Sequence, residues 1–246
     1  MQRHKQANSI YRVAIARFLA SGVIPCYNYL QKDPARRKEV MSRLFLVRHG
    51  ETALKSSQRL WGQTDVELSE MGIRQAEKLR DRLTTEQFDS IYSSDLKRAL
   101  VTARTIAAKH NTEVTSLPEL REFNYGRVEG LTFAEMEVQY PDCARSLLEQ
   151  DTDIKFPDGE SLMDMVGRVG KFAAKLKDHP GEEKILIVVH SGVLRTLICQ
   201  LLGMDLKHIF QFLPELASLS IVNTYRGAAI LNLFNDISHL DHLPRD

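Results

Sequence analysis

Two stretches of this chain are apolar at every position: Leu44, Phe45, Leu46 and Val47, and Ile185, Leu186, Ile187, Val188 and Val189. A strand with one wet face alternates apolar and polar residues, so an unbroken apolar run needs cover on both faces. Both runs are too short for a buried helix. The sequence between and around them supplies the cover. A helix is expected to begin near Ser69, with Glu70 in its first turn and Ile73, Ala76, Leu79 and Leu83 on one face. A second, capped by Ser94 or Asp95, repeats Leu96, Ala99, Leu100, Ala103 and Ile106 at helical intervals. Further strands are expected over 88–92 and near 113–116, small helices and loops over 131–159, and a long helix over about 161–176. A helix over about 193–202 ends at Gly203, and a closing hairpin turns near Arg226 and Gly227. Covered strands alternating with amphipathic helices predict an α/β fold. Its sheet is mainly parallel with helices on both faces, and the hairpin adds an antiparallel strand at an edge.

Composition narrows the function more than the fold. Of 33 Lys and Arg and 32 Asp and Glu in the chain, residues 1–40 hold eight basic and two acidic ones. The remainder is therefore net acidic, a poor electrostatic match for nucleic acid. No run of about 18 apolar residues occurs, so no stable membrane span is expected. The three cysteines (Cys26, Cys143 and Cys199) are scattered and odd in number. They support neither a disulfide framework nor a zinc site, and a cytoplasmic setting is expected. Residues 1–40 read as a basic, non-catalytic extension: a broken signal-like segment, a transit-like segment, or translated sequence upstream of Met41. The catalytic domain is expected to span 41–246.

Both apolar strands end alike. Arg48, His49 and Gly50 follow the first, and His190, Ser191 and Gly192 follow the second. In an open α/β sheet, ligands bind beyond the carboxyl ends of the strands, and parallel neighbours would bring the two histidines face to face there. Arg98, in the first turn of the second helix, leans back over the same edge. Two guanidinium groups and two imidazoles in one place make a receptor for phosphate, whose geometry the arginine fork matches. Metal sites gather carboxylates or thiolates and exclude cations, so neither a metal nor any other cofactor is expected. The chemistry implied is attack of a neutral imidazole on phosphorus. Glu122, beside Phe123, is the candidate proton donor to the leaving alkoxide, with burial keeping its proton on.

The segments "LVRHGET", "SSDLKRALVTA", "LREFNYGRVEG" and "VVHSGVLR" resemble, in order, the four signature blocks of the histidine phosphatase superfamily, the phosphoglycerate-mutase-like fold. The resemblance implies that His49 becomes phosphohistidine, that Arg48, Arg98 and His190 hold the phosphate, and that Glu122 serves as acid and then as base. It adds the main-chain N–H of Ser191, a substrate-facing Gly62 and an assisting Arg59. Lys55 stands where the family often carries a phosphate-binding asparagine. The block around Glu122 and the tail after Ala217 look most like the α-ribazole phosphatases of cobalamin synthesis. Phe123, Tyr125, Phe133, Tyr140, Phe156 and Trp61 would then line an aromatic pocket for the leaving portion. The expected activity is metal-independent hydrolysis of a small phosphomonoester, with a homodimer compatible. A cofactor-dependent phosphoglycerate mutase and a catalytically silent phosphate-binding module are the alternatives.

Overall fold

The computed structural model describes residues 40–54, 58–176, 179 and 181–243. The expected extension over 1–40 therefore lies outside the described residues, except for Val40, which opens the first strand. Six strands form one sheet in the order β3-β2-β4-β1-β5-β6. They are β1 (Val40–Arg48), β2 (Ser90–Ser93), β3 (Val114–Ser116), β4 (Glu183–Val189), β5 (Leu219–Tyr225) and β6 (Ala228–Asp236). The first four run parallel, with β4 between β2 and β1. β5 pairs antiparallel with β1, and β6 with β5, so the closing hairpin forms an antiparallel edge pair. Gly227, at positive φ of 77°, turns that hairpin.

The two apolar runs are the centre of the sheet. Leu44 and Leu46 of β1, with Ile185, Ile187 and Val189 of β4, pack against α5 (Leu162–Lys175) and α6 (Ser191–Leu202). Phe45 and Val47, with Leu186 and Val188, pack on the opposite face against α1 (Glu70–Leu83) and α2 (Lys97–Ala107). Every one of these strand residues is at most 1% exposed. At about 1.5–3 kcal/mol for each buried aliphatic or aromatic side chain, this layer supplies much of the drive to fold. After β1 the chain passes to α1 on one face, and after β4 to α6 on the other. Neighbouring strands whose chains leave to opposite faces open a crevice at their carboxyl ends, and that is where ligands bind in such sheets.

Several local expectations change in the structure. The buried face of α1 is Gly72, Ala76, Leu79 and Leu83, while Ile73 is 45% exposed. The cap of α2 is not local. Leu96 holds the cap position without a side-chain bond, and the Lys97 N–H is taken at 2.7 Å by Asp65, 32 residues earlier. Asp95 is unavailable because Arg121 binds both its oxygens, at 2.8 and 2.6 Å. Ser94 instead accepts from Leu96 N at 3.2 Å. α6 begins at Ser191, two residues earlier than the spacing suggested, so His190 itself is its N-cap. Residues 131–159 contain α3 (Phe133–Gln139) and α4 (Pro141–Leu148), which meet at Tyr140.

One close approach sets the first loop. A Cβ on Gly50 would lie 2.6 Å from Gly72 O, and one on Gly72 would run into Glu51 O. The loop that begins with His49 is thus pressed directly onto the first turn of α1. We expect Gly72→Ala to cost about 1–3 kcal/mol of stability, as overpacking does, read as a lower urea midpoint. An unchanged midpoint would show that this contact can relax.

Candidate active site

The register of the sheet builds the site. Arg48 pairs with Val189 at the last position of the β1–β4 ladder, and His49 N donates to Val189 O at 3.0 Å. The residue after each strand is therefore histidine, side by side. The two rings lie 5.0 Å apart between centroids, inclined at 60°. His49 is 6% exposed and His190 fully buried.

Their hydrogen bonds put the two rings in opposite tautomers. His49 Nδ1 lies 2.7 Å from Gly50 O. A carbonyl can only accept, so Nδ1 carries the proton and Nε2 keeps its lone pair. Arg98 Nε lies 3.2 Å from His190 Nδ1. A guanidinium can only donate, so His190 Nδ1 is the acceptor and its proton sits on Nε2. That Nε2 is buried and meets no partner among the described residues. One ring thus presents an electron pair and the other an N–H.

Burial holds both rings neutral. It pushes each histidine well below its ordinary pKa, and the charges of Arg98 and Arg48 push the same way; for His190, His49 and Arg168 add to this. Arg98 is itself 2% exposed, and carbonyls fix its fork: Nη1 donates to Thr64 O at 2.9 Å and Nη2 to Gly62 O at 2.5 Å. Arg48 donates through Nη1 to Pro214 O at 2.7 Å, while its buried Nε has no partner among the described residues. Both arginines stay charged, although burial lowers their pKa values.

Glu122 closes the site from the α6 side. It is 7% exposed, and its Oε1 accepts from Phe123 N at 3.0 Å and from Gly192 N at 3.2 Å. Arg168 of α5 clamps the backbone that carries it, donating to Glu119 O, Arg121 O and Glu122 O while pairing with Glu160. Nothing near Glu122 in the sequence signals that clamp, which reaches across 46 residues.

The structure thus brings together five of the residues that the sequence singled out: Arg48, His49, Arg98, Glu122 and His190. Ser191, first residue of α6, has a main-chain N–H that the helix does not need. Gly62 earns its place by contact: its carbonyl holds Arg98, and a Cβ there would strike Phe123 O. Arg59 is not brought to the imidazole pair. Its guanidinium binds Glu135 of α3 and Gly130 O, tying the segment before Gly62 to the small helices. Lys55 lies outside the described residues. The expected aromatic wall is divided: Phe123 and Phe156 are 7% and 1% exposed and belong to the core. Tyr125 stacks on Phe123 at 5.4 Å and is only half-buried. Arg195, in "VVHSGVLR", lies one helical turn after Ser191 and is half-buried. Among the described residues, no group of three or more His, Cys, Asp or Glu side chains is placed to hold a metal ion. None of the helices among them is long and apolar enough to cross a membrane.

Comparison with known proteins agrees with this geometry. The profile of the Histidine phosphatase superfamily (branch 1) matches residues 44–237. "Phosphoserine phosphatase 1" of Hydrogenobacter thermophilus is 33% identical over 200 residues, covering 81% of this chain and 95% of that one. "Metal-independent phosphoserine phosphatase" of Arabidopsis thaliana is 31% identical over 204 residues, covering 81% and 84%. The crystal structure of the alpha-ribazole phosphatase from Shigella flexneri superposes with a TM-score of 0.73 at 30% identity, covering 79% of this chain and 96% of that one.

The neutral histidines make a pH prediction. As pH falls through about 6.5, the unfolded chain takes up protons at these rings that the folded chain does not. Stability contributed by His49 and His190 is thus full above that pH and is lost below it, at up to about 1.4 kcal/mol per pH unit for each ring. We expect His49→Gln with His190→Gln to flatten the fall of Tm between about pH 6 and pH 5. An equally steep fall in the double variant would mean that the rings are protonated in the fold.

Proposed function

The chain belongs to the histidine phosphatase superfamily, and on that premise we propose that it is a metal-independent phosphomonoesterase working through phosphohistidine on a small-molecule substrate. His49 Nε2 attacks phosphorus in line with the ester oxygen. The N–P bond forms as the P–O bond breaks, and Glu122 gives its proton to the departing alkoxide. Water then takes the place of the alcohol. Glu122, now a carboxylate, accepts its proton as the oxygen attacks phosphorus, and His49 leaves as the neutral ring. Arg48, Arg98, the His190 Nε2–H and the Ser191 N–H hold the three equatorial oxygens, where charge accumulates. The catalytic unit in this reading is residues 41–246.

The observation that carries the reading is the opposed pair of tautomers. A phosphate receptor needs only donors, and two rings both presenting N–H would bind phosphate better. One bare nitrogen lone pair among the cations serves attack, not retention. This favours an enzyme over a silent binding module.

The alcohol can be read in two ways. α-Ribazole 5′-phosphate is supported by the likeness to the Shigella flexneri structure. A small polar alcohol such as serine is supported by the names of the two phosphoserine phosphatases. It is also supported by the burial of Phe123 and Phe156 in the core, which takes two of the six expected aromatic residues out of a wall for a benzimidazole.

A phosphoester labelled in the phosphoryl group should leave acid-labile, base-stable label on the wild-type protein and none on His49→Ala. Label bound elsewhere, or label that survives the substitution, sinks the mechanism. Glu122→Gln should slow an alkyl phosphate by about 10²–10⁴-fold. It should slow p-nitrophenyl phosphate far less, because nitrophenoxide leaves without a proton; equal losses on both would deny Glu122 the role of acid. Activity should persist in EDTA with inorganic phosphate as product, whereas isomerisation without release would mark a mutase.

A further inference from the structure

The imidazole pair is tied to a third histidine through a single residue. Ala217 N donates to His49 O at 3.0 Å, and Ala217 O lies 3.0 Å from His239 Nε2. A carbonyl can only accept, so His239 Nε2 carries a proton and donates it. Ala217 is fully buried and sits at φ of 53°, in the left-handed region that a β-carbon disfavours. Its two polar backbone groups hold it there, one on the attacking histidine and the other on His239.

The same loop holds Arg48. Pro214 O accepts from Arg48 Nη1 at 2.7 Å, and Ser218 O accepts from Arg48 N at 3.3 Å. The C-terminal segment grips the loop from its other side. Glu215 N donates to Asn235 Oδ1 at 2.6 Å, beside the bond from His239 to Ala217. The turn that carries His239, Ser238–Leu240, is anchored in its turn. Ser238 N donates to Asp236, and Arg82 of α1 binds both Asp236 and the Ser238 hydroxyl. Residues 214–218 are thus a strap, with Arg48 and His49 on one side and Asn235 and His239 on the other.

Packing does not account for His239. Its Nδ1 is buried and meets no partner among the described residues. Burial, then the charge of Arg82, lowers the pKa of the ring. An apolar side chain would fill the same space without desolvating a nitrogen. What it would lack is the donor to Ala217 O. Backbone strain beside a reacting group persists only where the surroundings over-determine it. Without that donor Ala217 relaxes toward negative φ, its N–H turns from His49 O, and the strap carries Pro214 O away from Arg48. We propose that His239 is a positioning residue. Through Ala217 it holds the strap against Arg48 and His49, and so aims the phosphate-binding arginine and the attacking ring. The step rests on the function proposed above.

His239→Phe keeps a ring and removes the donor, while His239→Gln keeps an N–H of similar reach. With p-nitrophenyl phosphate, His239→Phe should lower kcat about three- to tenfold, the range of one hydrogen bond, and change KM less. His239→Gln should restore most of the loss. Glycine accepts a left-handed φ without strain, so in an Ala217→Gly background His239→Phe should cost less. A purely structural role would lower the urea midpoint and leave kcat of the folded protein alone. Unchanged kcat in His239→Phe, a loss as large in His239→Gln, or the same loss in the glycine background each overturns the proposal. Should His239→Phe not fold, His239→Asn, whose amide falls short of Ala217 O, takes its place. Label on wild-type His49 reports on the catalytic reading separately. If the wild type shows neither label nor activity, that reading fails, and calorimetric binding of inorganic phosphate tests the strap instead. His239→Phe should then bind phosphate about three- to tenfold more weakly, and equal affinity overturns the proposal.

Discussion

The hydrogen bond from Arg98 Nε to His190 Nδ1 is the interaction on which the site depends. It does three things at once. It fixes the His190 tautomer, so that an N–H faces the crevice. It holds a guanidinium, through carbonyls on Gly62 and Thr64, against the carboxyl edge of the sheet. It also places a positive charge where it disfavours protonation of either ring. A lysine could not do all three, since an ammonium group has no planar fork to meet two carbonyls and a ring nitrogen together.

Such a bond is stable only because the fold around it is stiff. Two guanidinium groups in a desolvated crevice repel each other, and the protein offsets this with neutral acceptors rather than carboxylates. Thr64 O, Gly62 O and Pro214 O take the arginine protons. Among the described residues, the Glu122 carboxyl is bonded to main-chain N–H groups and makes no ion pair with either arginine. Had carboxylates neutralised the arginines directly, an arriving phosphate would have had to displace them. Carbonyls leave the net positive potential in place, and a phosphate dianion completes the set. The tertiary contacts follow the same logic. Glu129 binds the Gln63 and Thr64 main chain, so the loop that presents Gly62 O and Thr64 O to Arg98 is itself held.

How much of this could be read from the residues depended on range. The two strands were legible because an apolar run covered on both faces has few other homes. Their parallel pairing then placed His49 beside His190. Arg98 was legible because three residues separate it from Asp95 at the start of a helix. The α2 cap was not, because its carboxylate comes from Asp65 while the local candidate is taken by Arg121. The Arg168 clamp was not, since a helical arginine is ordinarily solvated and only the fold brings Glu119, Arg121 and Glu122 to it. The aromatic residues after Glu122 were legible as apolar but not as core or wall, because that depends on where α3 and α4 settle.

In the mechanism proposed above, the placement of Glu122 also bears on why the reaction would end in hydrolysis. A double displacement through one histidine is symmetrical: the group that protonates the departing alcohol is the group that must deprotonate whatever attacks next. Glu122 is held in one place: Phe123 N and Gly192 N donate to its carboxyl, and Arg168 binds its main-chain carbonyl. The second nucleophile must therefore arrive where the first leaving group departed. A mutase keeps the alcohol there and returns the phosphoryl group to it. For a phosphatase, the alcohol must leave faster than it is rephosphorylated, and water must replace it at the same carboxylate. In the reaction proposed above, a carboxyl held in one place serves whichever acceptor occupies the leaving-group position, and water is that acceptor once the alcohol has gone.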